Sequence, residues 1–351
     1  MKRTTFAAVS AMAAVLALGV ILFGAYVRLS DAGLGCPDWP GCYGRIGVPA
    51  SQEAIAKANA AYPERPVEPG KAWKEMVHRY LAGALGLLIL ALALAAWRGR
   101  DHLPAGLTSL LAALVVFQGL LGMWTVTLLV KPAVVTAHLA GGLATLSLLW
   151  WLVLRQGGLF ASPSGATVRS LRPWVWGGLL LLCLQILLGG WTSTNYAAVA
   201  CTEFPTCYAG IWWPPTDFRE AFVIWRGIGV DYEFGVLDSA ARTAIHLTHR
   251  IGALVVFVYL TVLAVQFMRK AENRTQVRMA WLLLGALLLQ VALGITNVLG
   301  HLPLPVAVAH NGGAALLLLT MVTLLHVLRR PDDSPASRTG VPTADSARYA
   351  Q

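Results

Sequence analysis

Eight apolar stretches, each long enough to cross a bilayer, constrain the fold of this chain more than any other feature of its sequence. A hydrocarbon core about 30 Å thick requires about 20 helical residues at about 1.5 Å each, so each stretch predicts one membrane-spanning helix. The predicted spans are 6–28, 76–97, 106–128, 133–154, 174–194, 243–267, 278–299 and 305–328. The chain is therefore predicted to be an all-α polytopic membrane protein rather than a soluble enzyme.

The distribution of charge predicts how the chain lies in the membrane. Only 13% of the 351 residues are charged, and most of the Lys and Arg residues behind the net charge of +10 lie in short links between spans, so nucleic acid is excluded as a partner. The short loops after the second, fourth and sixth spans carry nine of these cations, whereas the opposite short loops carry only Lys131. The positive-inside rule then predicts cytoplasmic termini and external long loops. Together with the absence of a transit peptide, this orientation predicts a bacterial inner membrane.

Four sequence landmarks recur in the same order in the two halves of the chain. They are Cys36 to Cys42 with Cys201 to Cys207, His78-Arg79 with His249-Arg250, Gln118 with Gln290, and His138 with His310. The offset between the halves is nearly the same for every landmark and is slightly shorter for the cysteine segments than for the others. Each half contains an even number of spans, so both halves keep the same orientation and are related by a pseudo-two-fold axis along the membrane normal.

This duplication predicts two tandem four-helix bundles and argues against an inverted-repeat transporter. The predicted parts are a first bundle in 1–155 with an outer loop at 29–75, a cytoplasmic linker at 156–173, a second bundle in 174–330 with an outer loop at 195–242, and a disordered cytoplasmic tail at 331–351. Trp225 and other aromatic residues of the second outer loop predict that this loop lies on the membrane surface over the second bundle.

Four histidines, His78, His138, His249 and His310, lie near the outer ends of spans that run in the same direction, and so share one depth in the membrane. Ionisable groups inside a bilayer are costly and usually functional, and imidazole is a common metal ligand. Two imidazoles of one bundle can bind opposite faces of an iron macrocycle, so each bundle is predicted to hold one haem. Hydrogen bonding between helices is the alternative, and zinc is disfavoured because no four Cys or His residues cluster.

Residues near the histidines predict further contacts. Glycine pairs follow His138 and His310 within four residues and are expected to let a flat group approach the backbone. Arg79 and Arg250 are expected either to bind haem propionates or to extend to the membrane interface. The glutamines of the third, fifth and seventh spans are expected to join helices rather than to contact a ligand; they are Gln118, Gln185 and Gln290.

The repeat differs at one position beside the histidines. Glu75 precedes His78 by three residues, on the same helical face, whereas His246 precedes His249. A buried carboxylate can act as a base or stabilise a developing cation, while a site without one can simply carry electrons, so the two sites are predicted to differ in role. A solvated position at a loop end is the alternative for Glu75. His246 is expected to support a ligand rather than to bind iron itself.

The cysteine pairs Cys36–Cys42 and Cys201–Cys207 lie in the predicted outer loops, where the compartment permits disulfides. Five residues separate the two cysteines of each pair, which allows a tight closed loop, so one disulfide is predicted within each pair. A structural clip and a redox-active pair that passes electrons toward a haem are the two interpretations.

With these motifs the chain resembles the haem A synthase family, the membrane enzymes that act on haem O during assembly of cytochrome oxidase. The resemblance covers nearly all of the predicted spans. It rests on the segments Arg28–Cys42, Glu75–Arg79 and Ala244–Arg250, together with His138 and His310. It implies oxidation of the C8 methyl of haem O to the formyl group of haem A through successive hydroxylations.

The same resemblance implies which site holds which molecule. The substrate, haem O, would lie between His78 and His138, and a haem B cofactor between His249 and His310. Glu75 would be the catalytic carboxylate. The cysteine pair of the first outer loop would be functionally important.

The implied partners are haem O, membrane lipid, haem O synthase as the supplier of an insoluble substrate, and an electron donor or acceptor that the sequence does not identify. Two other functions use the same residues. A quinone-linked di-haem cytochrome b would keep both haems permanently and make nothing. A membrane thiol-disulfide oxidoreductase would use the cysteine pairs as its active site, with the histidines joining helices.

Overall fold

The computed structural model describes residues 1–160 and 164–329, and this part of the chain forms eleven helices and no strands. The helices are α1 (Arg3–Leu29), α2 (Gln52–Ala61), α3 (Pro69–Arg98), α4 (Ala105–Thr127), α5 (Pro132–Gly157), α6 (Ala166–Arg169), α7 (Arg172–Thr194), α8 (Phe218–Ala221), α9 (Ser239–Lys270), α10 (Arg274–Leu299) and α11 (Leu304–Val327). Eight of these helices are long and apolar enough to cross a membrane, which confirms the predicted all-α polytopic class. The predicted tail at 331–351 lies outside the described residues.

All eight spanning helices begin before their predicted spans, because hydropathy does not detect polar helical turns. Helix α3 begins at Pro69, seven residues before the predicted span, with proline in its first turn, where no amide hydrogen is needed. Helix α9 begins at Ser239, and the side chain of Asp238 caps it by accepting a hydrogen bond from the Ala241 amide at 2.8 Å. The first long loop also contains the short helix α2, which the sequence did not predict.

The spanning helices form two closed rings. Helices α1 and α4 each contact both α3 and α5, so α3 and α5 lie diagonally opposite each other in the first ring. In the second ring, α7 and α10 each contact both α9 and α11, which are opposite each other in the same way. The interior of each ring therefore lies between its two diagonal helices. We propose that these rings are the two four-helix bundles of the duplicated chain.

Contacts between the rings follow the pattern of a two-fold axis. In the repeat, α1 corresponds to α7 and α5 corresponds to α11. Helix α1 packs on α11, and its counterpart α7 packs on α5, so these two contacts are equivalent. The equivalent helices α5 and α11 also pack on each other. Arg28 donates from Nη2 to the Ser193 carbonyl at 2.8 Å, and the Tyr196 hydroxyl donates to Asp31 at 3.3 Å. Both bonds join positions that are 165 residues apart, which is the offset between the two cysteine segments. Only residues beside a two-fold axis meet their own equivalents.

The largest apolar core fills one half of both rings. Its members include Phe6, Leu92, Leu149, Phe267 and Leu324, which all lie toward the helix ends that are remote from the two long loops. We call the opposite end, which carries the long loops, the loop end. Because the core cluster stops short of the loop end, the interior there is left to the polar residues described below.

The second long loop packs on the second ring, where its helix α8 contacts α9, and it also reaches the first ring, which the sequence did not predict. Lys131, between α4 and α5, is only 1% exposed. Its Nζ donates to the carbonyls of Arg226 at 2.5 Å and Gly227 at 3.2 Å, and lies 3.6 Å from the centre of the Trp225 ring. A buried ammonium needs acceptors, and this distant loop segment supplies them. Such a contact leaves no local pattern in the sequence.

We expect Lys131→Met to expose the peptide bond after Arg226 to trypsin, because the Lys131 ammonium holds the carbonyl of that bond. A charge-assisted hydrogen bond contributes about 1.5 to 3 kcal/mol, so cleavage after Arg226 should accelerate about tenfold or more. Mass analysis of the fragments measures this rate. Lys57→Met, at an exposed lysine of the first long loop, is the control. Equal cleavage after Arg226 in both variants would show that Lys131 does not hold this segment.

Candidate functional site

The structure brings the four predicted histidines together as two pairs, each pair facing across one ring. His78 on α3 lies within electrostatic interaction distance of His138 on α5, and His249 on α9 is related in the same way to His310 on α11. The four residues lie nine, six, ten and six positions after the first residue of their helices, toward the loop end. All four side chains are half-buried. Each pair therefore occupies the part of a ring that the apolar core leaves open.

Each imidazole lies against a glycine of a neighbouring helix. The pairs are Gly24 with His78, Gly122 with His138, Gly189 with His249, and Gly294 with His310. A Cβ atom added at Gly24 would lie 2.7 Å from Cε1 of His78, so only glycine allows this ring position. No sequence pattern had singled out these glycines as partners of the histidines. Their recurrence in both halves, at the offsets of the repeat, was the available signal.

The glycines that follow the histidines do not offer an approach for a flat group, so that prediction is wrong. The space beside Gly141 on α5 is filled by the amide of Gln118, and the space beside Gly313 on α11 is filled by the amide of Gln290. A side chain from the neighbouring helix thus packs where a ligand was expected. Whether a side chain or a ligand lies beside these glycines depends on how the neighbouring helix is aligned, which the sequence of one segment does not reveal.

Two of the three glutamines join neighbouring helices, and they do so by contacting the histidines, a partner that the sequence did not predict. Gln185 donates from Nε2 to the backbone carbonyl of His249 at 2.9 Å, and the same nitrogen lies 3.0 Å from Nδ1 of the His249 ring. Nε2 of Gln290 lies 3.3 Å from Nε2 of His310. Both imidazoles of the second ring are therefore held by an amide of the protein.

The residues at the loop end fit an iron macrocycle with two axial imidazoles. Three of the four paired imidazoles keep a buried Nδ1 without a hydrogen-bond partner among the described residues; they belong to His78, His138 and His310. Across 1–160 and 164–329, no three His, Cys, Asp or Glu residues group closely enough to hold a bare metal ion. A pair of ligands suits a metal whose remaining positions are already filled, as they are in haem. The diagonal arrangement of the helices that carry each pair leaves the interior of the ring for such a group.

Glu75 is buried rather than solvated, which removes the alternative interpretation of this residue. It is 5% exposed, and its Oε2 accepts a hydrogen bond from the Cys36 amide at 2.8 Å. Its Oε1 forms an ion pair with Arg79. Both oxygens are therefore fixed, one helical turn from His78 on the same face of α3.

The structure places Arg79 and Arg250 on the two disulfide loops, a position that neither sequence interpretation described. Arg79 donates from Nη1 to the Asp38 carbonyl at 3.0 Å. Arg250 donates to the carbonyls of Thr206 at 2.9 Å and Glu203 at 2.8 Å. Each guanidinium thus joins a histidine-bearing helix to the loop above it. These are contacts between segments some forty residues apart, which a local motif does not encode.

Both cysteine pairs lie at disulfide distance, as predicted. The S–S distances are 2.03 Å for Cys36–Cys42 and 1.98 Å for Cys201–Cys207. All four cysteines are 0% exposed. Thiol-disulfide exchange requires an attacking thiolate to reach one sulfur, so this burial favours a structural clip and disfavours the thiol oxidoreductase alternative.

His246 occupies the place in the second ring that Glu75 occupies in the first. Its Nδ1 accepts a hydrogen bond from the Cys201 amide at 3.1 Å, just as Glu75 accepts one from Cys36. His246 is 4% exposed, and its Nε2 lies 3.3 Å from Nε of Arg250. Both ring nitrogens are therefore occupied by the protein. The two rings share this way of anchoring a loop and differ in whether the anchor carries negative charge.

The disulfide loops have their own electrostatic features outside the spans. Burial, followed by the carboxylates of Glu68 and Glu75, raises the pKa of Tyr43 to about 12, so its hydroxyl remains a neutral donor, to the Arg65 carbonyl at 3.1 Å. In the second loop, the Gly210 amide lowers the pKa of Glu203 by hydrogen bonding to its carboxylate. Each loop is thus folded around polar groups that keep one protonation state at neutral pH.

The fold and the site together define a multi-pass membrane protein with two rings of helices and one facing histidine pair in each ring. The chain belongs to the COX15-CtaA family, described as cytochrome oxidase assembly protein, whose model matches residues 7–322. A heme A synthase of Shewanella oneidensis is 48% identical over 314 residues, which cover 90% of this chain and 94% of that protein. A heme A synthase of Bacillus licheniformis is 26% identical over 302 residues, 84% of this chain and 86% of that protein. One of Caulobacter vibrioides is 26% identical over 340 residues, with coverage of 91% and 94%.

Proposed function

We propose that this protein is a haem A synthase, an oxidoreductase that converts the C8 methyl of haem O to the formyl group of haem A. The observation that carries this proposal is the pair of facing histidines in each ring of a chain whose relatives are heme A synthases. The quinone-linked cytochrome uses the same histidines, but it gives no role to the buried carboxylate that only one ring contains.

The difference between the rings supports a substrate site in the first and a resident haem B in the second. His249 and His310 are each contacted by a glutamine amide, which is how proteins fix the orientation of a permanent metal ligand. Among the described residues no glutamine hydrogen bonds to His78 or His138, and Glu75 lies one helical turn from His78. A resident haem in the second ring would supply one-electron transfer between the substrate site and an external partner.

Glu75 is the residue best placed to assist the oxidation. Electrons must leave the methyl carbon and an oxygen atom must enter, so positive charge develops beside the macrocycle. A fixed carboxylate stabilises that charge and can orient water toward the carbon. Arg79 and the Cys36 amide hold the two oxygens of Glu75, so the carboxylate is oriented before substrate arrives.

We further propose that the loop end faces the outside of a bacterial inner membrane and that both termini are cytoplasmic. The distribution of Lys and Arg among the short loops supports this orientation. The histidine layer would then lie near the outer face. Lipid surrounds the helices, and haem O synthase together with a separate electron donor or acceptor would complete the system.

Identification of the bound haems tests the function. The protein is purified in detergent, its reduced-minus-oxidised spectrum is recorded, and the extracted haems are identified by chromatography and mass. Haem B together with haem O, haem A or a hydroxylated intermediate is expected. Haem B alone, with no conversion of supplied haem O, would identify the cytochrome instead, and a folded preparation without haem would exclude both.

Gly24→Ala is expected to reduce the content of substrate haem by half or more without changing the content of haem B. The added methyl would lie 2.7 Å from Cε1 of His78, closer than carbon atoms pack, so the imidazole must move. Chromatography of the extracted haems measures both contents. Gly19→Ala on the same helix is the matched control, since nothing lies within 4 Å of that added atom. An unchanged ratio of the two haems in Gly24→Ala would show that the glycine does not position His78.

A further inference from the structure

Three of the four histidines are followed three residues later by a glycine, and a glutamine from the neighbouring helix lies against that glycine. The sets are His138, Gly141 and Gln118; His249, Gly252 and Gln185; and His310, Gly313 and Gln290. His78 is the exception, because Leu81 stands three residues after it. A leucine side chain leaves no room for an amide at that position.

The missing glutamine of the first ring can be located in the structure. Gly24 lies against His78 as Gly189 lies against His249, so the offsets of the sequence repeat hold in space for α1 and α3. At the offset that relates Gly24 to Gly189, Val20 stands where Gln185 stands in the second ring. The repeat therefore places an aliphatic residue, Val20, at the position that corresponds to the amide beside His249.

The side-chain amides that lie against these glycines still have unused hydrogen-bond acceptors. Oε1 of Gln185 and Oε1 of Gln290 are buried and have no partner in 1–160 or 164–329. An imidazole that binds iron through one nitrogen carries its proton on the other, and a half-turn of the terminal amide presents Oε1 to that proton. Gln185 and Gln290 can thus hold a ligated ring in place, and Gln118 lies at the equivalent position against Gly141, with its Nε2 unpartnered within 1–160 and 164–329. Val20 offers no such acceptor.

We propose that His78 is the exchangeable ligand of the substrate site, and that Gln118, Gln185 and Gln290 are positioning residues that hold the other three imidazoles. This inference rests on the proposed function and extends it by naming the histidine that dissociates from the iron of the substrate haem. A site that admits a substrate macrocycle and releases the product must break and remake an axial bond in each cycle. A resident cofactor must keep both of its bonds, and both of its histidines have a glutamine.

Carbon monoxide binding to the dithionite-reduced protein that carries both haems tests this proposal, because the gas binds only where an axial ligand has left. We expect the wild-type protein to bind it at the first ring alone. The double variant Val20→Gln with Leu81→Gly rebuilds the missing set and should slow this binding about tenfold or more, the usual size of such supporting contacts. Val20→Leu with Leu81→Ala, which adds no amide, is the matched control and should bind the gas at the wild-type rate.

The opposite change is made in the second ring. Gln185→Leu should allow the resident haem, which excludes carbon monoxide in the wild type, to bind it and should shift its reduced spectrum.

Wild-type rates in the rebuilt double variant, with both haems bound, would overturn the inference while leaving the proposed function intact. If the double variant does not retain the substrate haem, Gln118→Leu replaces it. That variant should bind the gas faster than the wild type, and an unchanged rate would equally overturn the inference. A wild-type preparation that contains no haem would instead refute the proposed function.

Discussion

His249→Ala is expected to remove haem B from the second ring, with a loss of about tenfold or more in bound haem B and a fall of turnover to background. The reason is that the variant removes one of only two protein ligands and leaves the amide of Gln185 without the ring that it contacts. The content of haem B is measured by extraction and chromatography, and the first ring is followed through its content of haem O or haem A. Retention of the first-ring haem separates a local loss from general unfolding.

His301→Ala is the control for this prediction. His301 is exposed in the turn between α10 and α11 at the loop end, so its loss should leave both haem contents unchanged. If His249→Ala kept its haem B and its reduced-minus-oxidised spectrum, the second ring would not be the cofactor site. A loss of the first-ring haem alone would reverse the proposed assignment of the two rings.

Glu75→Gln is expected to lower the rate of conversion of haem O to haem A about a hundredfold while both haem contents stay as in the wild type. Glutamine has the same shape and can still accept the hydrogen bond from the Cys36 amide, but it has no negative charge with which to stabilise a cation or activate water. Product formation is measured by chromatography after supplying haem O in aerated buffer, so that an oxidant is present. The fall should appear in kcat rather than in KM.

Glu68→Gln is the matched control, because the Glu68 side chain is 62% exposed and its ion pair with Lys71 lies at the surface. Its turnover should match the wild type, since exposed ion pairs contribute little. Unchanged turnover in Glu75→Gln would remove the residue from the reaction. A rise in KM with an unchanged kcat would make it a substrate-binding residue instead.

Much of the fold follows from the sequence because a bilayer imposes simple requirements on a chain. Backbone groups in hydrocarbon must bond within their own segment, so eight long apolar stretches predict eight helices, and the structure contains them. The cysteine spacing likewise predicted both disulfides, because six positions along a chain bring two cysteines close together wherever the loop turns back. These are local properties of short segments.

The arrangement around the histidines was only partly accessible from the sequence. The repeat predicted that His78 pairs with His138 and His249 with His310, and the structure brings these residues together across each ring. A sequence repeat shows which residues of the two halves correspond, so it identified the two histidines that belong to each half. It did not report what lies beside each member, and the contacts of Arg79 with the disulfide loop were therefore not predicted.

The sequence by itself determined the membrane class, the number of spans and the identity of the four candidate ligands, and it predicted the duplication. Only the tertiary structure decided that Glu75 is buried, that Gln185 lies against His249, and that Lys131 of the first half is enclosed by the loop of the second. Hydropathy and spacing show whether one segment of the chain lies in lipid or in water. The neighbours of a buried polar group come from segments far away in the chain, and helix packing alone brings them within hydrogen-bonding distance.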